Sequence, residues 1–257
     1  MTSEIFEESD RVRIALTSRA RRKRYSHLNV DRGSTWWAPR AIGWWIGILF
    51  AAGSICFVVG ALPGYLSAVG YEADALTFFI GSLFFTSAAF LQVVEVANVD
   101  YTQRQPEVPL KLRVITWAPR RIDWWSTIIQ FVGTLFFNRT TFHALSENLS
   151  VSQLNRLVWT PDALGSTCFL IASGLAWFEV CQAVSCWRLR SLSWRITALN
   201  LVGSIAFGVS AIASYVVPTT ASPIDAGLVN LGTFVGALCF FIGALLLLPE
   251  RMHSDSG

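Results

Sequence analysis

Trp37-Ala38-Pro39-Arg40 returns eighty residues later as Trp117-Ala118-Pro119-Arg120. The agreement runs on into the apolar stretch behind each copy. Ile42 matches Ile122, Trp44-Trp45 matches Trp124-Trp125, Gly53-Ser54 matches Gly133-Thr134, and Phe57 matches Phe137. A fainter third copy puts Arg190 at the Arg40 position, Trp194 at the Trp44 position and Gly203-Ser204-Ile205 over Gly53-Ser54-Ile55. One membrane-entry signal is used three times, and a repeat of this kind governs the reading of everything else.

The bulk composition agrees. Of 257 residues 53% are hydrophobic, mean hydropathy is +0.47, and only 14% are charged. Soluble domains carry roughly 25% charge, so a membrane protein is expected. Six apolar runs, at about 41–62, 75–97, 122–142, 162–184, 194–216 and 226–248, each reach the roughly 20 residues a helix needs to cross a bilayer. Lipid offers the backbone no hydrogen bonds, so the runs are helices. Pro39, Pro119 and Pro161 stand just before helices, and Asp74, Asp162 and Asp225 precede helices as expected N-caps.

Charge sets the orientation. Nine of the twenty Lys and Arg lie in residues 1–40, and five more lie in 98–121. The connections 63–74 and 217–225 have none, and 143–161 has only Arg156. Basic loops stay cytoplasmic, so both termini are expected inside. Nine of the eleven tryptophans fall at that same boundary, where an interfacial belt anchors the chain.

The expected architecture is all-α: a polytopic six-helix transmembrane bundle built from three parallel helical-hairpin repeats. A basic tail covers 1–35. The transmembrane domain covers 36–250, with hairpins at about 36–100, 116–185 and 190–250, and 251–257 is a short cytoplasmic tail. Arg19, Arg21, Arg22, Lys23 and Arg24 form a basic cluster suited to anionic lipid headgroups. No reader fold accompanies it, so nucleic acid is not expected. Homo-oligomerisation stays open.

The repeated pattern (Gly53-Ser54-Ile55-Cys56-Phe57, Gly81-Ser82-Leu83-Phe84-Phe85, Gly203-Ser204-Ile205-Ala206-Phe207), with acidic helix endings at Glu95 and Glu250, resembles the YrhK-like bacterial membrane proteins. The resemblance implies a bacterial inner-membrane protein of unknown activity. It supplies no catalytic or binding residues.

Chemistry-bearing patterns are few. His27, His143 and His253 are scattered, and the five cysteines read as small apolar residues beside or within helices. No metal, cofactor or catalytic set is expected, hence no enzyme. Asp123, Thr127, Gln130, Thr134, Asn138 and Thr141 share one face of the third run. Either they bond neighbouring helices, the favoured reading, or they line a path for a small solute or ion. Arg139 and His143 sit one turn apart near the outer end of that run and join the candidate path, with Arg139 long enough to snorkel outward. At the basic rim, Arg40, Arg120 and Arg190 lie level with Glu95, Glu179 and Glu250, which suggests ion pairs joining the hairpins.

Overall fold

The computed structural model describes residues 36–104, 114, 116–184 and 186–250, with backbone alone for 99–104 and 250. The basic cluster at 19–24 and both tails lie outside the described residues. Helix α1 spans Ile42–Gly60, and a short α2 covers Tyr65–Val69. Then come α3 (Tyr71–Arg104) and α4 (Ile122–His143). A short α5 (Val151–Gln153) runs through a π-helical turn, Leu154–Trp159, straight into α6 (Thr160–Cys181). The chain ends with α7 (Leu192–Ala213), strands β1 (Val216–Val217) and β2 (Ser222–Pro223) in an antiparallel pair, and α8 (Ala226–Glu250).

Five helical segments are long and apolar enough to cross a membrane: Ile42–Gly60, Tyr71–Asn98, Val151–Cys181, Leu192–Ala213 and Ala226–Pro249. The chain is thus helical and membrane-embedded. Helix α4 has the length but a more polar composition. Large apolar side chains such as Ile55, Leu83, Leu135, Leu170, Ile205 and Leu238 point outward, a surface that water would not tolerate and lipid does.

Long helices pack as successive neighbours, and α8 closes the ring against α1. Within each hairpin the helices meet where glycine removes a side chain. A Cβ at Gly53 would stand 2.6 Å from Phe85 Cδ2 and 2.8 Å from the Gly81 carbonyl. A Cβ at Gly133 would stand 2.8 Å from Phe169 Cδ2, and one at Gly203 would stand 3.0 Å from Phe240 Cδ2. The partner glycines Gly81, Gly165 and Gly236 face Phe57, Phe137 and Phe207 in return. Small residues let helix backbones approach closely in lipid, where no hydrophobic force drives them together.

The entry stretches are held alike. Trp44 Nε1 donates to the Trp36 carbonyl at 2.8 Å, Trp124 Nε1 to Thr116 O at 2.6 Å, and Trp194 Nε1 to Cys186 O at 2.9 Å. Trp45 and Trp125 donate to Pro39 O and Pro119 O. In the third copy Arg195 replaces the second tryptophan, and its Nε donates to Leu189 O. So the belt is two populations: Trp44, Trp124 and Trp194 are buried staples, while Trp45 and Trp125 face outward.

Three expectations need correction. Asp74 and Asp162 are not caps. Their helices begin earlier, at Tyr71 and Val151, so both carboxylates sit inside helical segments. Asp225 does cap, accepting from Leu228 N at 2.9 Å. Pro161 likewise stands inside a continuous helical run, not before it. Its missing N–H falls just after the π turn, where Thr160 Oγ1 donates to Asn155 O. Finally, Cys181 and Cys186 form a disulfide. Gln182 adopts φ 53°, ends α6 and returns the chain, leaving the two Cα atoms 5.4 Å apart.

The glycine seam has a direct test. Gly53→Ala is expected to cost about 1–3 kcal/mol through overpacking. Gly208→Ala, where nothing lies within 4 Å of the added methyl, is expected to hold or raise stability by up to about 1 kcal/mol. Thermal unfolding of both variants in detergent separates the two, and equal transitions would refute the seam.

Candidate functional site

Hairpin packing carries six phenylalanines to the bundle centre. Phe57, Phe137 and Phe207 come from the first helix of each pair, and Phe85, Phe169 and Phe240 from the second; all six are buried. Ring centroids of Phe85, Phe169 and Phe240 lie 5.6–6.4 Å apart. Phe207 stands 6.3 Å from Phe57 and 6.1 Å from Phe137. The two layers interlock at 5.1–5.6 Å. These contacts, edge-to-face or tilted except for the stacked Phe207–Phe240 pair, fall in the favourable distance range for aromatic pairs.

On the side away from the tryptophan rim this core becomes a floor. Above it lies a cavity of about 320 Å³, with Phe57, Phe137 and Phe207 beneath and Asp74, Asp162, Trp159 and Tyr71 among its walls. The size falls at the lower end of small-ligand sites. The walls are pinned from outside. Trp159 Nε1 donates to Ala211 O at 2.9 Å, and its ring meets Tyr215 edge-on at 5.0 Å. Asn155 clamps Val216 through both amide atoms. Tyr71 donates to Ala144 O at 2.7 Å.

Wall hydroxyls are committed to the fold. Thr140 donates to Val158 O, Thr141 to Phe137 O, and Ser210 lies 2.9 Å from both Val229 O and Thr233 Oγ1. The carboxylates are not. Ser214 has one hydroxyl proton and two acceptors: Ala211 O at 2.9 Å and Asp162 Oδ2 at 3.5 Å. The shorter bond takes the proton, and Asp162 keeps little of it. Asp74 Oδ1 is buried without a hydrogen-bond partner. No Lys, Arg or His is among the residues lining the cavity, and no group of three or more potential metal ligands exists among the described residues.

The polar face of α4 divides. Thr127 and Thr134 are buried, and Thr134 Oγ1 bonds Phe131 O within its own helix. Thr86 reaches across from α3 to Thr134 O, and Ser82 pairs with Thr141 Oγ1 at 2.9 Å. Ser126 donates to Ala172 O on α6. Asn138 Oδ1 is buried and unbonded. Gln130 and His143 are half-buried, and Arg139 is exposed. Thr141 lines the cavity, whereas Thr127, Gln130, Thr134, Asn138, Arg139 and His143 do not.

At the tryptophan rim Arg40, Arg120 and Arg190 are exposed, Glu179 is buried and Glu95 is half-buried. Glu95 Oε1 lies 3.6 Å from where a Cβ on Gly43 would stand. The Glu250 side chain lies outside the described residues. Arg121 makes a two-point ion pair at this rim. Its Nε reaches Asp123 Oδ1 at 3.0 Å and its Nη2 reaches Oδ2 at 2.6 Å, with Asp123 fully buried. Sequence reasoning passed over Arg121 for its neighbour Arg120. The i, i+2 spacing of Arg121 and Asp123 across an expected helix start was the available signal; the extended backbone of Arg121, at φ −107°, is visible only in the structure. No family model, curated protein or solved structure matches the chain.

Arg121→Gln is expected to lower stability by about 3–5 kcal/mol, because it removes the guanidinium paired with the buried Asp123 carboxylate. Arg120→Gln is expected to leave it within about 0.5 kcal/mol. Adding Asp123→Asn to Arg121→Gln should restore most of the loss. Thermal unfolding of the four proteins checks this.

Proposed function

We propose that the chain is a six-span, non-enzymatic interaction module of the bacterial inner membrane. It consists of three parallel helical hairpins with both termini cytoplasmic. The observation that carries the reading is the six-phenylalanine core. A conduit along the bundle axis would have to pass it, and aromatic rings in mutual contact offer a hydrated ion no ligands. A solute path along α4 is the second reading, favoured by Asn138, whose buried oxygen lacks a partner. Kinship with the YrhK-like proteins belongs to the proposal, supported by the short Gly-Ser motifs. So does binding of the 19–24 basic cluster to anionic headgroups.

Two measurements test it. Purified protein in liposomes is expected to raise neither ion nor small-solute flux above protein-free controls. Flux that Gln130→Leu abolishes would establish the path instead. In a variant lacking native cysteines, Ala68→Cys and Ala221→Cys should react with impermeant maleimide from outside, and Arg120→Cys should not.

The disulfide weighs against that orientation. It lies at the rim assigned to the cytoplasm, whereas such bonds persist on oxidising sides of membranes. The proposed orientation therefore implies free thiols in the cell. Alkylation of intact cells with a permeant reagent before lysis is expected to tag all five cysteines. Tagging of only Cys56, Cys168 and Cys239, which are free in the structure, would reverse the orientation.

A further inference from the structure

We propose that the cavity above the phenylalanine floor is a binding site for an organic ammonium group. This rests on the reading of a membrane-embedded bundle closed at its centre. Asp74 and Asp162 bring two carboxylates to a space of about 320 Å³ that has no basic residue in its lining. Neither is in an ion pair among the described residues. Asp162 has one 3.5 Å contact with a hydroxyl whose proton is better used elsewhere, and one oxygen of Asp74 has no partner. Carboxylates with so few hydrogen-bond partners are costly at a buried site.

The remaining walls select among cations. A bare metal ion needs several converging oxygen ligands, and among the described residues no group of three or more His, Cys, Asp or Glu could hold one. An alkylammonium needs a negative charge and a polarisable apolar surface. Three phenylalanines supply a floor and Trp159 supplies a wall, and aromatic rings attract ammonium groups through their quadrupole. Trp159 is held on its far side by Ala211 and Tyr215, so little ordering is left for a ligand to impose. The π turn beside Pro161 sets Trp159 and Asp162 on the cavity side; such turns recur at functional sites. The same chemistry occurs in a free quaternary amine and in a lipid headgroup.

Calorimetric titration with tetramethyl-, tetraethyl- and tetrapropylammonium, on protein in phosphatidylglycerol nanodiscs, tests this. Saturable binding of at least one member is expected. Asp162→Asn and Asp74→Asn should each weaken it at least tenfold, while Asp225→Asn, which keeps its cap and lies outside the cavity, should not. Two nearly isosteric carboxamides keep the test readable if one variant fails to fold. Adding phosphatidylethanolamine separates the sources. Competition that grows with its content assigns the site to a headgroup, and indifference assigns it to a soluble amine; both support the ammonium site. No saturable binding of any member overturns the proposal. So does equal binding of neutral 3-ethyl-3-pentanol, or unchanged affinity in both aspartate variants. Flux through liposomes would sink the closed-bundle reading without touching these titrations.

Discussion

Helix contact in this chain rests on glycine against phenylalanine. In lipid, apolar side chains gain nothing by leaving one apolar surrounding for another, so association must come from close packing. Gly53, Gly133 and Gly203 each remove the Cβ that would collide with a ring of the partner helix. That ring then extends past the backbone to the centre of the bundle, where it meets the others. The seam and the core are therefore one device. Lose the glycine and the helices part; lose the ring and the approach has nothing to fill it.

That device also decides where polar groups can go. The equivalent positions Ser54, Thr134 and Ser204 are completely buried, one residue past each seam glycine. A hydroxyl there is small enough for the seam. Thr134 and Ser204 satisfy themselves on their own helices through Phe131 O and Asn200 O, while Ser54 Oγ has no partner; we have no physical account of that exception. Hydroxyls also pair between helices, as Ser82 does with Thr141 and Ser173 with Ser204. Polar residues in the bundle are mostly packing elements. Asp74 and Asp162 stand apart because a carboxylate only accepts, and the carbonyls that satisfy a hydroxyl on its own helix offer it no donor.

Much of this was legible in sequence. The entry signal showed itself by repetition, and its physical meaning, a tryptophan N–H stapled eight residues back, follows from the spacing once the turn is known. The seam glycines and core rings were visible as Gly53 with Phe57 and its copies. The cavity was not. Asp74 and Asp162 looked like caps because apolar runs begin right after them, but hydropathy marks where lipid begins and not where a helix begins. Extra helical turns at 71–74 and 151–161 carry both side chains inward. A π turn has no periodicity of its own to read. The cysteine pair was equally hidden, since it depends on a left-handed Gln182 and not on any spacing rule.

Helix α4 shows how average hydropathy misleads for a bundle. Its polar residues are what remove it from the strongly apolar set, yet most of them do not face outward. Asp123 is sealed and held in two places by Arg121. Thr127, Thr134, Thr140 and Thr141 are buried against neighbours. The side that remains exposed carries Trp125, Val132, Leu135 and Phe142. A membrane samples that outer side, not the mean over all residues. Arg139 is the exception on the outer surface. It lies one turn before the end of α4, where a long side chain can reach headgroups or water at modest cost. The polarity that sets α4 apart from the other long helices is thus mostly turned inward.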